Sequence, residues 1–294
     1  MHMRSILGWG VFLFLMSILV HILPNPRATY YFIKGKQRFS SRNYEGAAAA
    51  FRESVNSDPN FARGFVELGI TYRVLEKYPE AEQALKQAMS VEPDSCAACG
   101  LGIVYLLQNR RDEAEASLRE SIKLNPKDVC PYNQLGRMYY DAKEYSKAIE
   151  AFEQEIKLQP SAGSYHFLAN SLYFSKKTDE AIAAYLKATQ LDPTYEEALV
   201  DLGRAYHEIG RETEANAVLE QAVKLDPEDQ KARSFLGVTQ FMCGNKQAAM
   251  EQYKWLLKKN PTLANELLRG FYELSDAMEK ADKAKAIKER AVNN

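Results

Sequence analysis

Seven of the eleven prolines fall on one beat. They stand at 59, 93, 126, 160, 193, 227 and 261, spaced by 33 or 34 residues along a chain of 294. A period of that length means that a short unit is tiled, so no domain-sized topology has to be found. Twelve residues before each proline is an alanine: Ala47, Ala81, Ala114, Ala148, Ala181, Ala215 and Ala249. Twelve residues earlier again stand Gly35, Gly69, Gly102, Gly136, Ala169, Gly203 and Gly237.

Each of these residue types has a physical reason. A glycine or alanine in the seam lets two helices approach closely, where a larger side chain would hold them apart. Leu68, Leu101, Leu135, Leu168, Leu202 and Leu236 stand just before the small residue and share its seam. Tyr72, Tyr105, Tyr139, Leu172 and Tyr206 follow at helical spacing. Four residues after each alanine comes a bulky layer-filling residue: Phe51, Leu85, Leu118, Phe152, Tyr185, Leu219 and Tyr253. The periodic proline removes a backbone donor where one helix ends and the next begins. Asp58, Asn125, Asp192 and Asp226 precede it as turn residues, and Pro79 and Pro131 suit the first turn of a helix.

The stretch from Val129 to Pro160 carries the whole pattern in one copy: Tyr132, Leu135, Gly136, Tyr139, Ala148, Phe152 and Pro160. In this it resembles the tetratricopeptide repeat (TPR). The resemblance implies an all-α fold, a right-handed superhelical solenoid of about seven helix-turn-helix repeats over 28–263. Capping helices are expected over 264–294, where Leu267, Leu268, Phe271 and Leu274 make one more apolar stripe. One hairpin cannot bury its apolar face alone, but stacked neighbours can. The resemblance also implies a function, the holding of other polypeptides in a concave groove lined by the first helices.

Residues 6–23, ILGWGVFLFLMSILVHIL, contain no Asp, Glu, Lys or Arg. As a helix they would measure roughly 27 Å, close to the roughly 30 Å hydrocarbon core of a bilayer. Pro24 and Pro26 would end that helix. No small-x-small cleavage pattern follows, so an uncleaved single-pass transmembrane anchor over 1–27 is expected in preference to a removed signal. Flanking charge points both ways: Arg4 lies on one side, and Arg27, Lys34, Lys36 and Arg38 lie on the other. The short amino-terminal tail resembles a bacterial signal anchor. The expectation is therefore an extracytoplasmic array, periplasmic in a bacterium, although a plain charge count favours the cytoplasmic face.

Lys and Arg number 38 against 39 Asp and Glu, so no global field points to nucleic acid. No Gly-rich phosphate loop, HExxH or GxSxG occurs, and an enzyme is not expected; nor is any cofactor or metal. Partners are expected to be proteins or peptides, with self-association as a further reading.

In TPR proteins the ligand faces the first-helix residues that do not pack on the second helix. Carried onto this chain, these are Asn133, Arg137, Tyr140 and Asp141, then His166, Asn170, Tyr173 and Phe174, then Arg204, His207 and Glu208. Amide, guanidinium and aromatic groups on one surface suit an extended peptide. The acidic-tail clamp of some chaperone-binding TPR proteins is not matched, because Asp201 stands where that clamp wants Asn. The alternative function is a thiol redox or metal-binding protein centred on Cys96, Cys99 and Cys130. Cys96-Ala-Ala-Cys99 opens a helix, where a thiol pKa can fall, while Cys130 holds the place of Cys96 one repeat on. Cys243 is expected in the core.

Overall fold

The structure is a computed structural model that describes residues 25–292, with side chains given as far as 277 and for 279 and 280. Among the described residues there are fifteen helices and no strand, so the fold is all-α. The chain divides into two compact units, one ending at Met138 and the other beginning at Tyr139.

The first unit pairs α1 (Pro26–Ser40) with α2 (Tyr44–Ser57), α3 (Ala62–Val74) with α4 (Tyr78–Val91), and α5 (Ser95–Leu107) with α6 (Arg111–Leu124). The unit boundary falls inside α7 (Val129–Asp141). The second unit continues with α8 (Tyr145–Leu158), then pairs α9 (Ala162–Phe174) with α10 (Thr178–Leu191) and α11 (Glu196–Glu208) with α12 (Glu212–Leu225). It ends with α13 (Gln230–Met242), α14 (Lys246–Lys259) and the long α15 (Pro261–Val292).

All seven periodic alanines are 0% exposed. The close approach they permit is measurable at the glycines. A Cβ on Gly35 would lie 2.5 Å from Phe51, on Gly69 2.5 Å from Leu85, on Gly102 2.6 Å from Leu118 and on Gly203 2.5 Å from Leu219. Real Cβ contacts essentially never come this close, so the missing side chain is what lets each bulky residue seat. Phe51, Leu85, Leu118 and Leu219 are in turn fully buried.

The turns repeat as faithfully. Between the two helices of every pair one residue takes left-handed backbone: Arg42, Glu76, Asn109, Lys143, Lys176, Gly210 and Gly244, with φ between 57° and 82°. Only two of the seven are glycine, so five positions carry the cost of a Cβ there. Between pairs, the Oδ1 atoms of Asp58, Asn125, Asp192 and Asp226 each accept the backbone N–H two residues on, at 2.8–3.1 Å. The side chain thus replaces the backbone acceptor lost as the helix stops.

The last pair closes differently from the sequence expectation. Tyr253 is only partly buried, and the bulky side chain of α14 that is fully buried is Leu256. Gly237 meets Leu267 of α15, which a Cβ would approach to 3.0 Å. Phe241 stacks on Phe271 with ring centroids 4.7 Å apart. The final seam is thus closed by α15. Cys243 also departs from expectation: it is exposed, at the C-cap of α13.

The transmembrane anchor expected over 6–23 lies outside the described residues. Among the described residues no helix is long and apolar enough to cross a membrane, and the single-pass membrane location with extracytoplasmic repeats is corrected accordingly. The longest helix, α15, has 32 residues but carries charged side chains at nearly every turn.

The seam argument makes a direct prediction. Gly69→Val should destabilise the protein by about 1–3 kcal/mol, through overpacking against Leu85. Gly210→Ala meets open space and should cost only about 1 kcal/mol, from backbone conformation alone. Urea-unfolding midpoints would rank the two; equal midpoints would contradict the seam.

Candidate functional site

In the first unit the cysteines meet where α5 and α7 begin. Asp94 caps α5, its Oδ1 accepting the Ala97 N–H at 2.9 Å, and Asp128 likewise accepts the Cys130 N–H at 3.0 Å. Cys99 and Cys130 form a disulfide, with Cα atoms 6.6 Å apart, that joins the first helices of neighbouring repeats. Cys99 is only 2% exposed, whereas Cys96 is a free and exposed thiol. The CxxC cysteines are therefore not paired with each other. Desolvation and the carboxylates of Asp94 and Asp128 push the Cys96 thiol up, against the lowering expected of a helix N-terminus. Burial first, and the two acidic caps with it, outweigh the helix dipole here. Asn133 is half-buried on α7 and Arg137 is exposed there.

In the second unit a buried polar network occupies the place where other pairs are apolar. It starts at Tyr185, which fills the layer that Leu or Phe fills in five other repeats and is fully buried. Its hydroxyl must find an acceptor, and it donates to Asn170 Oδ1. His166 lies beside Asn170, with Nε2 2.9 Å from Asp201 Oδ2 and Nδ1 2.9 Å from the Tyr195 hydroxyl. A carboxylate only accepts, so Nε2 carries a proton; in the neutral ring Nδ1 accepts from Tyr195. The Asn170 amide nitrogen, 3.2 Å from Nε2, then lies alongside the ring without donating to it.

Asp201 is the hub. Its Oδ1 also accepts from Lys231 at 3.2 Å and pairs with Arg204 at 3.3 Å. Burial pushes its carboxyl upward, but the His166 hydrogen bond and the charges of Arg204 and Lys231 outweigh this and hold it below the ordinary range. His166 and Asn170 are 8% and 7% exposed, so both are committed to this network.

Beside the network is a partly exposed surface. Arg204 lies over the Tyr173 ring at 4.5 Å and near Phe174 at 5.9 Å. Phe174 is 41% exposed and stacks on Tyr145 at 5.4 Å. Tyr140 touches Tyr145, Phe167 and Phe174, with centroids 5.9–6.1 Å apart. Desolvation and the neighbouring Glu208 carboxylate push the Tyr173 phenol up to about 12, so it stays a neutral donor. His207 stands apart, its Nδ1 bound to Glu212 at 2.9 Å.

Thus the structure gathers Tyr140, Tyr173, Phe174 and Arg204 on one surface and places His166 and Asn170 beside it. Sequence reasoning passed over Tyr145, Tyr195 and Glu212, and it read Tyr185 as packing only. The available signal was a polar layer residue, Tyr185, in the one repeat whose seam glycine is replaced, by Ala169. Among the described residues no group of three or more His, Cys, Asp or Glu is arranged to hold a metal ion.

A second carboxyl site opens α11. Desolvation, then hydrogen bonding and repulsion from Asp229, push Glu196 up to about 7. Its folded pKa lies above the unfolded value, so the protonated form is favoured by folding. This contribution is present below about pH 4.5 and is lost as pH rises to about 7. Asp201 has the opposite sign, contributing above its unfolded pKa and losing that contribution as pH falls. Glu196→Gln should therefore flatten the stability profile between pH 5 and 7 and leave the acid limb in place. Asp201→Ala should cost about 3–5 kcal/mol by stranding His166 and Arg204. Thermal unfolding across pH would read both effects.

Tetratricopeptide-repeat profiles match residues 32–90, 66–129, 99–163 and 196–229, and a TPR-repeat profile matches 169–210. The chain is 25% identical over 223 residues to anaphase-promoting complex subunit 6 of Arabidopsis thaliana, covering 72% of this chain and 40% of that protein. It is 37% identical over 82 residues to the peroxisomal targeting signal receptor of Candida albicans, covering 28% of this chain and 14% of the receptor. The chain thus spans less than half the length of either relative. Among solved structures, the C-terminal part of a TPR protein from Cytophaga hutchinsonii superposes with a TM-score of 0.67 at 17% identity, over 81% of this chain and 98% of that one. MamA superposes with a TM-score of 0.51 at 25% identity, over 57% and 92%. YrrB, described as a TPR protein with an unusual peptide-binding site, superposes with a TM-score of 0.56 at 17% identity, over 63% and 96%. With repeat profiles tiling most of its length, the chain belongs to the tetratricopeptide-repeat family, an all-α, generally non-enzymatic class of protein–protein interaction scaffolds.

Proposed function

We propose that this protein captures an extended segment of a partner protein on the surface formed by Tyr140, Tyr173, Phe174 and Arg204, and so serves in the assembly of a protein complex. One observation carries this reading. Arg204 is anchored by the buried Asp201 and flanked by Tyr173 and Phe174, so a cation and an aromatic face are held in place before any ligand arrives. Interfaces favour this pairing, because both residue types bring large contact area with little entropy left to lose. The exposed Phe174 ring offers an apolar contact for a partner side chain. The guanidinium and the phenol hydroxyls can take backbone carbonyls or carboxylates. His166 and Asn170 act as supports for this surface. Asn133 and Arg137 offer polar contacts of the first unit. The relatives fit the reading by name, one being a complex subunit and another a targeting-signal receptor.

The thiol reading has one observation in its favour, the Cys99–Cys130 bond, but burial and nearby carboxylates push the free Cys96 thiol up where a reactive thiol at a helix start would be lowered.

The double variant Tyr173→Ala, Phe174→Ala should keep its helical circular dichroism and lose at least tenfold in affinity for peptides selected on the wild type from a random display library. Undiminished binding by the variant would place recognition elsewhere. Capture of a second copy of the chain by the same surface would identify self-association as its use.

A further inference from the structure

Cys96 is exposed one helical turn before Cys99, at the start of α5. Side chains three residues apart on a helix have Cβ atoms about 5–6 Å apart, and a CxxC pair at a helix N-terminus closes into a disulfide with little movement. The thiol also feels the carboxylate of Asp128, which itself holds the Cys130 N–H. The first turn of α7 therefore adjoins the first turn of α5, and three sulfurs share one corner. Cys99, being 2% exposed, is shielded from external thiols. Cys96 approaches it along their common helix.

We infer that Cys96 is a resolving thiol for the Cys99–Cys130 disulfide, and that internal exchange detaches α7 from α5. The Cys96 thiolate attacks Cys99 Sγ, a Cys96–Cys99 bond forms, and the bond to Cys130 breaks. Cys130 leaves as a thiolate and takes up, through solvent, the proton that Cys96 released. One disulfide exists before and after, so the step needs no oxidant or reductant. Its effect is conformational, because the staple between the first helices of neighbouring repeats becomes a link within one helix turn. The released α7 is the helix that carries Asn133 and Arg137. The charged groups facing Cys96 are Asp94 ahead of α5, Asp128 ahead of α7 and Glu67 on α3, all of which disfavour its thiolate, while the Ser95 side chain stabilises it. Exchange should therefore be slow at neutral pH and quicken with alkalinity.

The test uses the full oxidised chain with Cys243→Ser, which removes the other exposed thiol. The protein is held between pH 7 and 9, alkylated with N-ethylmaleimide and cleaved with trypsin. Cleavage after lysine and arginine gives peptide 87–110, holding Cys96 and Cys99, and peptide 128–137, holding Cys130. The linked peptide pair should decline with time, at least tenfold faster at pH 9 than at pH 7, while 87–110 with an internal disulfide and alkylated 128–137 accumulate. With Cys96→Ser added, the linked pair should persist throughout. The inference is overturned if the linked pair persists in the parent at every pH, if it declines equally fast without Cys96, or if the oxidised protein never contains it.

Discussion

The structure rests on one recurring contact, a bulky side chain seated where its partner helix has no Cβ. At Gly35, Gly69, Gly102 and Gly203 the opposing Phe or Leu leaves no room for even a methyl group. Because the two axes of a pair come this close, the alanine opposite must also be small, and it is buried completely. The helix faces turned away from the seam remain to stack on neighbouring pairs or to meet solvent. A short-range steric fact thus sets which residues of every helix are core and which are surface.

The fifth repeat breaks the contact and acquires the site. Ala169 replaces glycine, and Tyr185 replaces leucine or phenylalanine in the layer. A hydroxyl in that layer cannot stay unpaired; Asn170 satisfies it, and beside Asn170 lies His166, held between Tyr195 and Asp201. Asp201 brings a negative charge into the interior, which three cationic or potentially cationic partners surround. One of these partners, the Arg204 guanidinium, also lies on aromatic rings. A buried network is costly when half satisfied and rigid when complete. Here it holds a surface cation in a single position, which lowers the ordering cost of binding.

The first unit solves a comparable problem with a covalent bond. Cys96 and Cys130 occupy equivalent places in successive repeats, yet the bond joins Cys130 to the buried Cys99 and leaves Cys96 to solvent. Stacked repeats bring a residue of one first helix diagonally opposite its neighbour's next turn, so equivalent positions need not be nearest positions. Burial, together with the acidic caps that start α5 and α7, reverses the expected effect of the helix end.

The amino-acid sequence by itself determined the repeat, its helical class, the seam residues and the turn residues. Each of these is a constraint on one residue type at one spacing: no Cβ at the glycine, no N–H at the proline, a side-chain acceptor before it. The first-helix face was legible in the same way, because 3.6-residue periodicity assigns a residue to a side. Periodicity does not assign depth. The depth of His166 and Asn170 was set only when Asp201 and Tyr195, about 30 residues on, closed on His166 and Tyr185 closed on Asn170. The same holds for Tyr253, which gave up its layer place once Leu267 of α15 filled the last seam. Local chemistry repeats along the chain, but burial depends on all the neighbours at once, and those are set by the tertiary structure.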